Sequence, residues 1–209
     1  MGEAISGAAQ FFLHGGFFML LLLVLSIVAG TVILLRASAL REHLVAPPEL
    51  ETAIERVQPG DSLEGLKRAV RLHPSPLGRI ITVCLDHLNW PRQENIEAVQ
   101  VRARHEVVGM ENGLSVLEVT TGVAPLLGLL GTLSGLVSVF ANLGEGGTGD
   151  PVAVARGISE ALNTTIVGLA VAAPSLIAHN YFQRKIETMA VSMEGLVADL
   201  LAKCYPEHR

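Results

Sequence analysis

The chain has 209 residues, of which half are apolar and 17% charged, with a formal net charge of −5 at neutral pH. With a mean hydropathy of +0.46, that composition excludes an ordinary soluble domain and fits an integral membrane protein. The acidic balance is spread along the chain with no basic stripe, so nothing in it points to nucleic acid as a partner.

Between Glu3 and Arg36 there is no Asp, Glu, Lys or Arg, and Gly15 to Leu35 alone is long enough to cross a hydrocarbon core about 30 Å thick. Ala37-Ser38-Ala39 resembles a cleavage site. A signal peptide, however, needs a basic segment ahead of a shorter apolar core, and no Lys or Arg precedes Arg36, so the segment is expected to stay as a span.

From Arg36 to Ser115 the chain is helical by pattern. Pro47-Pro48, Pro59-Gly60, Pro74-Ser75-Pro76 and Pro91 cut its first part into pieces too short to fold alone, which must pack on something longer. Ile96, Val99, Ala103, Val107, Met110, Leu114 and Leu117 recur at spacings of three and four, predicting a helix that starts near Arg92 and runs straight into the second span. Cys84-x-x-His87 with His73 has a faint look of metal ligands but lacks the partner pair that a zinc site needs. Cys84 and Cys204 both fall on the expected cytoplasmic side, so no disulfide is expected. His105-Glu106 has no second His four residues after the first. Nucleophile-elbow and phosphate-loop motifs are missing, and the run at 144–149 carries Glu145 where a phosphate cradle would want Lys. No cofactor or enzymatic activity is expected.

The second span, Ala124 to Phe140, is membrane-apolar yet dense in small residues: Gly128, Gly131, Thr132, Ser134, Gly135 and Ser138. Such a helix is built for close packing, with Gly128, Gly131 and Gly135 beside Pro125 in this span and Gly168 and Pro174 in the third as the packing residues. Glu160, Asn163, Thr164 and Thr165 open the third span, with Glu160 and Thr164 one helical turn apart. A carboxylate there costs about 3 kcal/mol unless it faces water or a partner. Local hydration at the outer interface is the competing role for Glu160, and self-satisfied hydroxyls the competing role for Thr132 and Thr165. After the third span Ile186, Met189, Met193, Leu196 and Leu200 continue a helical stripe.

Ten of the fifteen basic residues lie between Arg36 and Ser115, four follow Phe182 and none precedes the first span. Lys and Arg stay on the cytoplasmic side, so the N-terminus is expected outside. The expected order is an external segment (1–14), a span (15–35), a cytoplasmic helical region (36–115), a second span (116–143), an external hairpin (144–156), a third span (157–182) and a cytoplasmic C-terminal helix (183–209). The fold class is an all-α membrane protein with three transmembrane helices, two of them extended into a cytoplasmic helical bundle.

Two separated motifs carry a resemblance. Ala124-Pro125-Leu126-Leu127-Gly128-Leu129-Leu130-Gly131-Thr132, followed by Gly157-Ile158-Ser159-Glu160-Ala161-Leu162, Thr164-Thr165, Gly168 to Ala172, Pro174 and Asn180-Tyr181-Phe182, closely resembles the MotA/TolQ/ExbB proton channel family. The three-span, N-out topology agrees with its ExbB and TolQ branch. The resemblance implies a subunit of a proton-driven motor in a bacterial inner membrane. It implies a homopentameric ring around two copies of a single-span ExbD- or TolR-like partner, whose membrane Asp carries the proton, with force passed to a TonB- or TolA-like protein. It assigns Thr132, Thr165 and Glu160 to the proton pathway, with Asn163 and Thr164 as additional pore-lining candidates. The Thr164-Thr165 pair and the Ala178 to Phe182 ending lean toward ExbB-like import over TolQ-like envelope maintenance. Asn163, His179 and Glu118 depart from the family pattern by adding polarity. A non-conducting scaffold using the same small-residue faces is the alternative from another class.

Overall fold

A computed structural model describes residues 16–60, 62–144 and 151–205. The expected external segment at 1–14 lies outside them, as does the hairpin between 145 and 150. Among the described residues all regular structure is helical: α1 (Gly16–Ala39), α2 (Glu42–Val45), α3 (Pro48–Arg56), α4 (Glu64–Leu72), α5 (Pro76–Asp86), α6 (Arg92–Glu111), α7 (Leu114–Gly144) and α8 (Pro151–Cys204). Three of these are long and apolar enough to cross a membrane: α1, Leu114–Ala141 of α7, and Val154–Cys204 of α8. At 1.5 Å per residue the 54 residues of α8 extend about 80 Å, far beyond a bilayer core.

The chain divides into two compact units, one of residues 16–35 and 113–180, the other of residues 36–112 and 181–205. In the first, α1 packs on α7 and α8 through Leu22, which is buried with Ala124 and Ala172 and flanked by Leu25, Leu127, Val167 and Val171. Much of the remaining surface is apolar and uncovered by the chain itself, as at Leu34, Leu126, Val137, Ile166 and Ile177. In water that would be prohibitive; against lipid or other helices it is the expected state.

In the second unit the prolines punctuate the helices where the sequence places them. Pro48 and Pro76 occupy first turns, where a missing N–H costs nothing, and α6 starts directly after Pro91. Ser75 caps α5 by accepting from Gly78 N at 3.1 Å. The Pro59-Gly60 turn uses a positive φ of 89° at Gly60. The short helices bury Leu50, Ile54, Leu66, Leu77, Ile80 and Ile81 against α6 and the C-terminal part of α8, which contributes Ile186, Met189, Met193 and Leu200. Two polar ties fasten the end of α8. Lys203 Nζ donates to the carbonyls of Ile54 (2.9 Å) and Glu55 (3.0 Å), and Tyr205 OH accepts from Asn95 Nδ2 at 3.0 Å beside the carbonyls of His87, Leu88 and Trp90.

The structure corrects one expectation. The helix that begins at Arg92 does not run unbroken into the second span. It ends at Glu111, and Asn112 and Gly113 separate α6 from α7, with Gly113 at φ 83°. On either side of the break the stripe residues Met110, Leu114 and Leu117 are all buried. Periodicity therefore hid a stop that the Asn-Gly pair encodes through its tolerance of left-handed backbone. Helix α8 begins at Pro151, ahead of Gly157, with the proline at its first position.

Candidate functional site in the membrane helices

The antiparallel helices α7 and α8 meet along a seam of small residues. A Cβ added to Gly128 would lie 3.0 Å from Thr165 Cα, and one added to Gly168 would lie 2.6 Å from the carbonyl oxygen of Ala124. One on Gly135 would lie 2.7 Å from Ala161 Cβ. Backbones this close leave no room for larger side chains and bring side-chain hydroxyls within reach of the opposite helix.

Thr132 and Thr165 exploit that closeness. Thr132 Oγ1 lies 3.1 Å from the carbonyl of Gly128 on its own helix and 3.1 Å from that of Ala161 on the other. Thr165 Oγ1 donates across the seam to the same Gly128 carbonyl at 3.1 Å, and the two hydroxyls hydrogen-bond each other. A hydroxyl has one hydrogen and two lone pairs, so the pair has two donors, several acceptors and spare acceptor capacity. Thr132 is buried and Thr165 half-buried, so the cluster opens toward one side.

The other sequence candidates fall into two groups. Thr164 is fully buried, its methyl standing where a Cβ on Gly131 would come within 2.5 Å, and its hydroxyl makes a long 3.5 Å bond to the Glu160 carbonyl. It wedges the seam. Glu160 and Asn163 are half-buried on the flank of α8. Of the packing candidates, Gly128, Gly131, Gly135 and Gly168 line the seam, Pro125 is half-buried within α7 and Pro174 is exposed on α8.

Of two further polar centres, sequence reasoning named His179 only as added polarity and passed over the one around Glu106. In the first unit, His179 Nδ1 lies 3.3 Å from the carbonyl of Leu114, and Ser175 is buried one turn before it. In the second, the buried Glu106 carboxylate accepts from Arg79 Nε at 2.9 Å and pairs with Arg79 Nη2 at 2.5 Å and Arg102 Nη2 at 2.6 Å. Burial pushes the Glu106 carboxyl up, but the hydrogen bond and charge of Arg79, joined by Arg102, outweigh it and hold the group below the ordinary carboxylate range. The i, i+4 spacing of Arg102 and Glu106 was the available signal; Arg79, far off in sequence, gave none. Burial, with a smaller contribution from Cys204, raises the free thiol of Cys84 to about 12, so it stays protonated at neutral pH.

These features define an all-helical, multi-pass membrane protein whose second and third spans are joined by a hydroxyl-bearing seam. A profile of the MotA/TolQ/ExbB proton channel family matches residues 73–195, which include α5 to α7, the whole seam and most of α8. A putative biopolymer transport protein ExbB homolog of Methanothermobacter thermautotrophicus is 31% identical over 92% of this chain and 75% of its own length. A putative biopolymer transport protein ExbB-like 1 of Synechocystis is 35% identical over 79% of this chain and 66% of its own, and the biopolymer transport protein ExbB of Neisseria meningitidis is 28% identical over 84% and 85%. The chain belongs to the MotA/TolQ/ExbB proton channel family.

Proposed function

We propose that this chain is the ring-forming subunit of an ExbB-like, proton-driven membrane motor. The observation that carries the proposal is the Thr132–Thr165 hydroxyl pair, held between two membrane helices that carry no Asp, Glu, Lys or Arg from Val119 to Ala141 and from Ala161 to Ala178. Hydroxyls alone cannot store a proton at neutral pH. They can hold a partner carboxylate or a file of water in either protonation state, since each both donates and accepts. The titrating acid then belongs to another protein, a single-span partner of the ExbD kind, and Glu160 borders the pathway on the external side.

A homopentamer with its N-termini outside and its C-termini in the cytoplasm accommodates the surfaces the single chain leaves open. The membrane helices expose apolar faces, and the second unit has an open groove of about 780 Å³ lined by Ile96, Val99, Ala103, Met193 and Val197. Each proton crossing the membrane releases about 2.3 kcal/mol per 100 mV, enough to favour one partner position over another when its protonated and ionised forms differ in preference. Work is then delivered to a TonB-like protein for import. The names of the relatives favour this over the TolQ-like role, and no enzymatic activity of the chain is required.

Native mass spectrometry of the detergent-extracted complex, co-expressed with its single-span partner, tests the proposal. Five copies with bound partner support it; a monomer or dimer that binds no such partner overturns it in favour of a packing scaffold.

A further inference from the structure

Along the seam from the threonine pair toward the other end of the spans, the lining turns apolar where Leu22 covers Ala124 and Ala172, and then becomes polar again. The register that sets Gly128 against Thr165 and Gly135 against Ala161 sets Thr120 opposite Ser175. Both are buried, and their hydroxyls bond the carbonyls of Val116 (2.7 Å) and Val171 (2.8 Å). One turn beyond Ser175 stands His179, half-buried, with Nδ1 3.3 Å from the Leu114 carbonyl. A carbonyl only accepts, so Nδ1 carries the hydrogen and Nε2 keeps its lone pair. On α8 no titratable side chain lies between Glu160 and His179. Glu118, one turn after Leu114 and exposed, is the only one on α7, and α1 has none from Gly16 to Leu35.

We infer that His179 is a proton-relay residue at the inner mouth of the pathway, an inference that rests on the channel reading above. A proton arriving on water forms an N–H bond at Nε2 as its O–H bond breaks. The imidazolium then releases that same proton to bulk water or to the Glu118 carboxylate. Nδ1–H stays on Leu114 throughout, so the ring relays without turning and α7 and α8 remain joined. Imidazole suits the task because one ring nitrogen can take up and release a proton while the other stays hydrogen-bonded.

Two measurements test this on the full chain. In vesicles containing the complex with its single-span partner, potential-driven proton flux is followed from pH 5 to 8. His179→Gln, whose amide can still donate to Leu114 but cannot take up a proton, is expected to assemble normally, lose at least tenfold in flux and lack the inflection in that range. Flux within twofold of wild type with an unchanged pH profile overturns the relay. In histidine-labelled protein, nitrogen NMR is expected to show His179 as the Nδ1–H tautomer, with Nε2 able to take up a proton. An Nε2–H tautomer, or a ring neutral down to pH 5, overturns the relay and leaves the channel reading intact. No flux in the wild-type complex overturns the channel reading itself.

Discussion

Each seam threonine has one hydrogen to give and more acceptors than it can serve, so exchanging partners costs little. Removing the hydroxyl while keeping the shape therefore isolates its role. Thr165→Val is expected to reduce proton flux at least tenfold with the mass of the assembly unchanged, and Thr165→Ser to recover most of it; equal flux in the Val variant would make the hydroxyl a packing feature only. Glu106 makes a different prediction, since its carboxylate is buried whereas Arg79 and Arg102 are roughly half exposed. Solvent weakens the pairing, so Glu106→Gln is expected to cost about 1–3 kcal/mol at pH 7, read as a lower unfolding temperature in detergent. The folded group lies below its unfolded value of about 4.3, so its contribution is complete above that pH and vanishes as pH falls through the lowered folded value. The gap between wild type and variant should therefore begin to narrow below about pH 4.3 and close as pH falls through the lowered folded value.

At the scale of elements, the glycines set how near α7 and α8 approach. Gly168→Leu would drive a side chain into the Ala124 carbonyl, so it is expected to separate the helices and abolish assembly, checked by the mass of the extracted complex. The break before α7 is weaker but specific: Gly113→Ala forces a Cβ into left-handed backbone at a cost of about 1–2 kcal/mol, measurable by thermal unfolding. The spans, the proline-marked starts of α3, α5 and α6 and the stripe after Phe182 were legible because composition and a 3.6-residue period act locally. Two other features were not. A single positive φ can interrupt a stripe whose period continues across it, as at Gly113. The partner of Thr132 depends on the register between two helices, which the motifs suggested only through resemblance. The Arg79–Glu106 pair and the His179–Leu114 bond join positions distant in sequence and left no periodic trace.

For the whole molecule, the uncovered apolar surface of the spans and the open groove of the second unit make solitary existence unfavourable. Charging the groove at its exposed lining residue by Val108→Glu is expected to shrink the extracted complex below five copies without unfolding the helices, as circular dichroism and native mass would report. Helix α8 adds a constraint of another kind. Its covered positions recur at steps of three or four within each unit: Ala161, Thr164, Gly168, Ala172 and Ser175 in the first, and Phe182, Ile186, Met189, Met193, Val197 and Leu200 in the second. Within each unit the spacing keeps one face of the helix covered. One residue inserted after Asn180 would turn every later position by about 100°, whereas a seven-residue insertion would return it to within about 20°. In this segment, tolerated length changes should come in heptads, because which residues of α8 are covered is written in their spacing rather than in any one side chain.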